Sequence, residues 1–423
     1  MPAYNQIATS HIGKGQSSMP RRALILVEGA SNGPLYVQAA HRLGLHPITL
    51  SADPAQYDYV AAEGAEAIRV DTTDIEALIS ECSRLRSTYD IAGITSAQEA
   101  FCATVGKLCQ HFDLPGPNPA SIKRCCDKFA QRQLLAAANV PVPAYHVAAS
   151  VTDVESAAAE IGLPVIVKPA VGIGSSGVRL CSTVEELAAH ATYLLGGTRI
   201  TQSPPKILIE EFAQGRYYNV DTMGHEVIGV GTAEFDCPPH FVFREVTFPA
   251  PLGKDEHERI ADVSLSCLQA LSLGWGPANI ELRWTKRGPV VIEVNPRLGA
   301  GPQLVHLAYG IDLVTEHIKL ATGGKCDLLK KRLHTAAWRY LLPDLDGTLD
   351  WIDGDTQAAA VPGIAEVKLN AQPKKPIIRK GDSQDCIGYV IAASPCPAHT
   401  AAILQRAVDL ISWSVTPFAT PDK

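Results

Sequence analysis

Two acids, Glu281 and Glu293, flank a short turn in the stretch ANIELRW (278–284), TKRG, PVVIEVNPR (289–297). Its alternation of apolar and polar residues predicts two paired strands. A three-residue loop, Lys286-Arg287-Gly288, with Gly288 in the left-handed position, sets 285 opposite 289. Counting outward, Glu281 then faces Glu293 and Asn279 faces Asn295, all on one side. Facing carboxylates lie about 5 Å apart at Cβ and repel unless a cation stands between them. Carboxylates and an amide are hard oxygen ligands, and Mg²⁺ commonly links one or two carboxylates to nucleotide phosphates. The competing reading is an outward-facing acid pair balanced by Arg283 and Lys286, since a loop of another length would break the register. Arg297 follows closely, where it could steady a transferring phosphoryl group or an acyl phosphate.

Residues 172–177 read G-I-G-S-S-G, a formal match to the dinucleotide fingerprint. That fingerprint requires a strand before it and a helix after it, because the helix N-terminus holds the pyrophosphate. Here VIVKP leads in and a second strand, VRLCST, leads out, so the loop is a hairpin tip and a Rossmann site is disfavoured. Glycine amides and the Ser175 and Ser176 hydroxyls can instead close over a polyphosphate, with the Lys168 ammonium at the strand end beside them. A mobile surface hairpin with an incidental lysine is the bland alternative. The HIGKGQSS segment lacks the GxxxxGK[ST] spacing of a P-loop.

The elements that position these groups follow from periodicity. ALILVE (23–28), HPITLSAD and IAGITS (91–96) read as strands, with helices at 35–43 and 98–112, which implies a parallel α/β unit. A helical segment over 119–138 ends at Asn139 and VPVP. Strand, helix, strand patterning runs from 145 to 212. Strands then dominate to about 330, with helices at 255–273 and 303–322. The last stretch reads as α+β, with 346–354 as loop.

At 423 residues, 46% hydrophobic and 19% charged, the chain can bury a sizeable core and is long enough for about three units. A net charge of −7 argues against nucleic-acid partners. No apolar run is long enough for a membrane span, and residues 1–18 lack a secretory apolar core, so they read as a disordered tail with Met19 near the start of the fold. The eleven cysteines follow no metal or disulfide spacing, and a reducing cytoplasm is the expected location.

Taken in order, LPGPNPASIKRCCDK ending at Lys128, VPVPAY, LPVIVKPA with Lys168, the glycine loop, LIEEF, NIEL and IEVNPR resemble the ATP-grasp superfamily of carboxylate–amine ligases. Within it the chain is most similar to the L-amino-acid ligases that make dipeptides and peptide-like antibiotics. The resemblance implies the three-unit ATP-grasp fold, mixed α/β and α+β. Its divisions would be an N-terminal α/β domain at 19–125, a linker helix at 126–144, a lid at 145–212, and a C-terminal domain at 213–423 with an α+β extension from about 330.

It also implies residue roles. Lys128 and Lys168 contact ATP phosphates, and Gly174, Ser175, Ser176 and Gly177 form the phosphate lid. Glu210, Glu211 and Phe212 surround the adenine. Glu281, Glu293 and Asn295 hold Mg²⁺, two ions in all, with Mn²⁺ as a substitute. Arg297 stabilises the acyl phosphate, with Lys168 its partner in catalysis. HFVFREVTFPAPL (240–252) matches the substrate-binding stretch, where Glu245 keeps the acid but Thr247-Phe248 replaces the usual Gly-His. Gly299–Gly301 replace a bulky residue, which implies a roomier pocket in which Gly301 and His306 also line the substrate. Tyr217 stands where relatives carry a ribose-binding glutamate, leaving that contact to another group such as Asp221.

The implied reaction joins an amino acid to a second amino acid through an acyl phosphate, with release of ADP and phosphate. Its partners would be small molecules, in a cytoplasmic homodimer. The alternatives are a ligase acting on bicarbonate or a purine precursor, and a non-catalytic ATP-binding module.

Overall fold

The computed structural model of the protein describes residues 20–29, 32–172, 174–196, 206–299 and 301–418. The tail expected at 1–18 and the start expected at Met19 lie outside them.

The N-terminal unit runs β1 (Arg21–Val27), α1 (Gly33–Arg42), β2 (His46–Ser51), α2 (Asp58–Ala62), β3 (Glu66–Arg69), α3 (Ile75–Leu85), β4 (Tyr89–Thr95) and α4 (Glu99–Phe112). Its four strands are parallel in the order β3-β2-β1-β4. β1 is a continuous apolar run because both of its faces are covered: Leu24 and Leu26 pack on one side, Ala23, Ile25 and Val27 on the other.

The helix expected over 119–138 is two helices, α5 (Pro119–Cys126) and α6 (Lys128–Ala137). Asn118 accepts from the amides of Ala120 and Ser121, and Asp127 from those of Phe129 and Ala130. Each cap contributes about 1 kcal/mol. Asp127 is extended rather than helical, so the second helix restarts there and carries Lys128 in its first turn.

The next unit comprises β5 (Tyr145–Ala148), α7 (Val151–Ile161), β6 (Val165–Pro169), β7 (Arg179–Cys181), α8 (Val184–Gly196) and β8 (Ile207–Glu211). Its antiparallel sheet has the order β5-β8-β6-β7, and two helices close a separate small core around Val154, Val165, Leu187 and Ile209. β6 pairs directly with β7, so the glycine loop between them is a hairpin tip.

The remainder runs β9 (Arg216–Met223), β10 (Glu226–Phe235), β11 (Phe243–Phe248), α9 (Lys254–Leu271), β12 (Pro277–Thr285), β13 (Gly288–Asn295), α10 (Pro302–Tyr309), α11 (Leu313–Ala321), β14 (Thr335–Leu341), β15 (Gly347–Asp353), α12 (Asp355–Ala359), β16 (Ile364–Leu369), β17 (Pro376–Ile377), β18 (Gly388–Ser394), α13 (Pro397–Val408) and β19 (Ser412–Pro417). Eight of these strands form one sheet, β13-β12-β9-β10-β11-β14-β18-β16, and three form a second, β17-β15-β19. The helix expected over 303–322 is divided at Gly310 (φ +73°), and Asp312 caps its second half through the Thr315 amide.

The stretch 346–354 is a strand, β15, where a loop was expected. Leu349 is fully buried, and Gly347 and Asp353 pair with Pro417 and Ser412. Its composition suggests a turn, but a partner strand far downstream supplies the hydrogen bonds that decide the conformation.

One core joins the N-terminal unit to the rest, with Leu24, Tyr36 and Ala40 against Phe248, Tyr309, Ile318 and Trp338. Among the described residues no helix is long and apolar enough to cross a membrane. All eleven cysteines are free thiols.

Candidate active site

β9, β12 and β13 lie side by side, and alternate residues on them face the lid across a cavity of about 320 Å³. That volume lies in the range of ligand pockets. Tyr217, Asn219 and Asp221 come from β9, Arg283, Glu281 and Asn279 from β12, and Glu293 and Asn295 from β13.

The facing pairs are Glu281 with Glu293 and Asn279 with Asn295, but the expected three-residue loop does not produce them. Thr285 pairs with Gly288, so the turn holds only Lys286 and Arg287, with Gly288 at φ +98°. An extra residue, Ile292, sits unpaired between Val291 and Glu293 and restores the offset. The carbonyl of this bulge accepts from Arg132 Nη2. The outward-facing alternative fails as well, because both acids border the cavity. Arg283 balances neither of them by ion pairing. Its guanidinium lies 5.4–5.6 Å from the rings of Phe212, Phe235 and Phe241 and donates to the Gly215 carbonyl at 3.0 Å.

The two facing carboxyls differ. Burial raises the pKa of both, but Lys128 Nζ lies 2.7 Å from Glu293 Oε1 and, with Lys168, holds Glu293 below its ordinary value. Glu281 has no ammonium in contact; burial and then the Glu293 charge push it up to about 7. Asn295 Nδ2 reaches Glu281 Oε1 at 3.3 Å. Two carboxylates and an amide on one face, with their repulsion only partly relieved, fit an oxygen-ligated divalent cation that keeps positions for phosphate and water.

Lys168 and Glu210 are buried, and Arg132 is fully buried. Glu210 bridges the other two, 2.6 Å from Lys168 Nζ and 2.5 Å from Arg132 Nε. Burial lowers the Lys168 pKa more than Glu210 can offset, while Arg132 and Lys168 together hold Glu210 below its usual value against burial. Arg132 was not picked out from the sequence. The available signal was its place four residues after Lys128, on the same face of one helix.

Lys128 Nζ also donates to the Gly172 carbonyl at 2.7 Å, tying α6 to the glycine loop. Burial alone would lower its pKa, but Glu293, Glu99 and Glu281 raise it. Gly174, Ser175 and Ser176 border the cavity, Gly174 at φ +64° and Ser175 at φ +60°. A Cβ on Gly174 would stand 3.0 Å from Ser383 Oγ, so the loop abuts the C-terminal extension, an approach no local pattern announces. Phe212 and Glu211 also border the cavity, and Glu211 receives Arg287 Nη2 at 2.7 and 2.8 Å. Arg297 lies at the opposite end, 3.4 Å from Glu99 Oε2 of α4. Burial raises the Glu99 pKa despite this contact.

Four expected placements are not met. Val246 and Phe248 face the cavity, so Glu245 and Thr247, which alternate with them on β11, face away. It pairs with Arg339, its cross-strand neighbour, whose Nε lies 2.6 Å away, while Arg244 pairs with Asp236. His306 is exposed on α10 and does not line the cavity, although Gly301 does. Gly177 turns its carbonyl to His190 Nε2 at 2.9 Å and is not on the cavity wall. Asp221 is not at the Phe212 end where ribose was expected; it binds Asn279 Nδ2 at 2.9 Å beside Gly299. Burial, only partly offset by Asn279, Arg297 and the Gly299 amide, pushes its carboxyl up to about 6. Asn219 Oδ1 and Trp338 Nε1, on cavity-lining residues, are buried polar atoms without a hydrogen-bond partner among the described residues.

Family models match most of the chain: the ATP-grasp N-terminal domain at 37–116, the carbamoyl-phosphate synthase L chain ATP-binding domain at 127–329, and the L-amino acid ligase C-terminal domain 2 at 339–416. An uncharacterized protein of Sinorhizobium fredii is 58% identical over 402 residues, covering 94% of this chain and 84% of its own. The L-arginine-specific L-amino acid ligase of Bacillus subtilis is 21% identical over 71% of this chain and 74% of its own. The crystal structure of an L-amino acid ligase from Bacillus licheniformis superposes with a TM-score of 0.80 at 19% identity, covering 94% of this chain and all of that one. The ATP-binding match spans the lysines, acids and arginine that converge on the cavity, and a ligase-specific match follows it. On these grounds the chain belongs to the ATP-grasp family of carboxylate–amine ligases, and within that family it is similar to the L-amino acid ligases.

Proposed function

We propose that the enzyme joins an amino acid or a related carboxylic acid to the amine of a second amino acid through an acyl phosphate, releasing ADP and phosphate. The observation that carries this reading is that Lys128, Lys168, Glu281, Glu293, Asn295 and Arg297 open onto one cavity. The match to an L-amino acid ligase domain over residues 339–416 supports it.

In this reading Phe212 packs on the adenine. Lys128 and Lys168, now neutralised by Glu293 and Glu210, turn toward the nucleotide phosphates, under the cover of Gly174, Ser175 and Ser176. Glu281, Glu293 and Asn295 hold Mg²⁺, which when bound neutralises charge on the transferred phosphoryl group. Arg297 holds the substrate carboxylate for attack on that phosphoryl, then stabilises oxyanion charge as the second amine displaces phosphate. No protein nucleophile is required. Eleven free thiols support a reducing cytoplasm as the location, and a homodimer is the assembly carried over from the resemblance.

Phosphate release measured over pairs of amino acids, with products identified by mass, tests the reaction. A dipeptide with stoichiometric ADP is the expected result. Bicarbonate-driven ADP release with no amino-acid dependence would select the carboxylase-type alternative, and sedimentation as a monomer would refute the dimer.

A further inference from the structure

The end of the cavity remote from Phe212 holds groups that phosphoryl transfer does not use. Asp221 is 6% exposed and borders the cavity, and among the described residues no lysine or arginine forms an ion pair with it. Its partners are the Asn279 amide at 2.9 Å and the Gly299 backbone, both neutral. Arg297 is near enough for its charge to act on this carboxyl. A carboxylate held by Arg297 with an ammonium one carbon away would therefore present that ammonium toward Asp221.

The neighbouring wall is apolar. The strand partner of Asp221 is Gly229, where a Cβ would stand 2.5 Å from the Phe248 ring, so Phe248 lies over the position beside the acid. A Cβ on Gly299 would come within 2.7 Å of Asp221 Oδ1, and one on Gly301 within 3.5 Å of the Trp338 ring. Gly299 and Gly301 thus bring bare backbone to the cavity wall beside the carboxylate and beside the indole, with no side chain of their own in the cavity there. Leu304 and Val246 complete this wall.

Resting on the reaction proposed above, we infer that the acid being activated is a free amino acid with a large apolar or aromatic side chain. Its ammonium binds Asp221, and its side chain lies against Phe248, Leu304 and Trp338. Asp221 thus takes a substrate-binding place of the kind expected for Glu245, whose carboxylate belongs to Arg339.

The test uses hydroxylamine in place of the unknown amine. It displaces phosphate from an acyl phosphate and leaves a hydroxamate that can be measured with ATP and Mg²⁺ present. The wild-type enzyme should use L-phenylalanine in preference to 3-phenylpropanoate, which lacks only the ammonium, by on the order of tenfold to a hundredfold in kcat/KM. It should also favour L-phenylalanine over L-alanine by roughly tenfold or more. Asp221→Asn should erase the first preference with the KM for ATP unmoved. Equal use of phenylalanine and 3-phenylpropanoate by the wild type would overturn the inference, whether or not the variant folds. Retention of the preference in Asp221→Asn would overturn it too, and a preference for alanine would overturn the side-chain assignment. If no amino acid gives hydroxamate while bicarbonate drives ADP release, the reaction itself is wrong and the inference falls with it.

Discussion

Glu281 and Glu293 face each other, yet their substitutions should act in opposite directions on stability. Glu281 carries a native pKa of about 7 against an unfolded value near 4.5, so its ionisation opposes folding. Through this group, metal-free stability falls as pH rises from about 4.5 through about 7 and levels off above. Glu281→Gln should remove that slope and raise stability at pH 8 by roughly 1–2 kcal/mol. Glu293→Gln instead deprives the buried Lys128 ammonium of its counter-charge and should lower stability by about 1–3 kcal/mol. Both variants should lose ATP turnover. Thermal melts from pH 4.5 to 8 check the pair, and a raised melt for Glu293→Gln would contradict the assignment. Glu210→Gln should be more damaging, about 3–5 kcal/mol, because it leaves Lys168 and Arg132 buried beside each other. Denaturant titration would measure that loss. Lys168, Glu281 and Glu293 were legible in the sequence because each is a charged residue set in an apolar strand-forming run. Arg132 was not, since its partner is 78 residues away.

In the proposed reaction, the element on which activity turns is the hairpin tip between β6 and β7. The lid has its own small core, and its glycine loop is tied down chiefly by Lys128 Nζ on the Gly172 carbonyl and by Ser383 near Gly174. Segments with few such ties open most readily. Limited proteolysis of the free enzyme should cut near 172–177, and ATP with Mg²⁺ should slow the cutting at least severalfold. Equal rates in both states would refute closure over nucleotide. The strand-in, strand-out pattern announced this hairpin. The Ile292 bulge was invisible, because an inserted residue changes pairing without changing the apolar run that encodes the strand.

Across the whole molecule, the N-terminal unit is held to the large sheet by a shared core bordered by the buried polar contact of Tyr36 OH with His317 Nδ1 at 2.6 Å. Burial pushes His317 down to about 4, against about 6.5 unfolded. The unfolded chain therefore takes up this proton first, and the stability due to neutral His317 is lost as pH falls from about 6.5 to about 4, to a total near 3 kcal/mol. His317→Gln should flatten the acid limb of the melt in that window, at a cost of roughly 1 kcal/mol at neutral pH. An unchanged acid limb would place the titration elsewhere.

Local information settled the parallel character of the N-terminal unit and the hairpin tip at 172–177, because periods of two and 3.6 and the turn residues act between near neighbours, whereas Glu281 faces Glu293 only because the Ile292 bulge offsets a turn one residue shorter than expected. Tertiary structure decided the rest. β15 is a strand because β19 pairs with it. Glu245 is a structural acid because Arg339 stands across from it, and Asp221 reaches the cavity because Asn279 and Gly299 place it there. Charge pairing and pocket shape depend on which distant residues share a face, and that is set by sheet order and packing rather than by any run of adjacent residues.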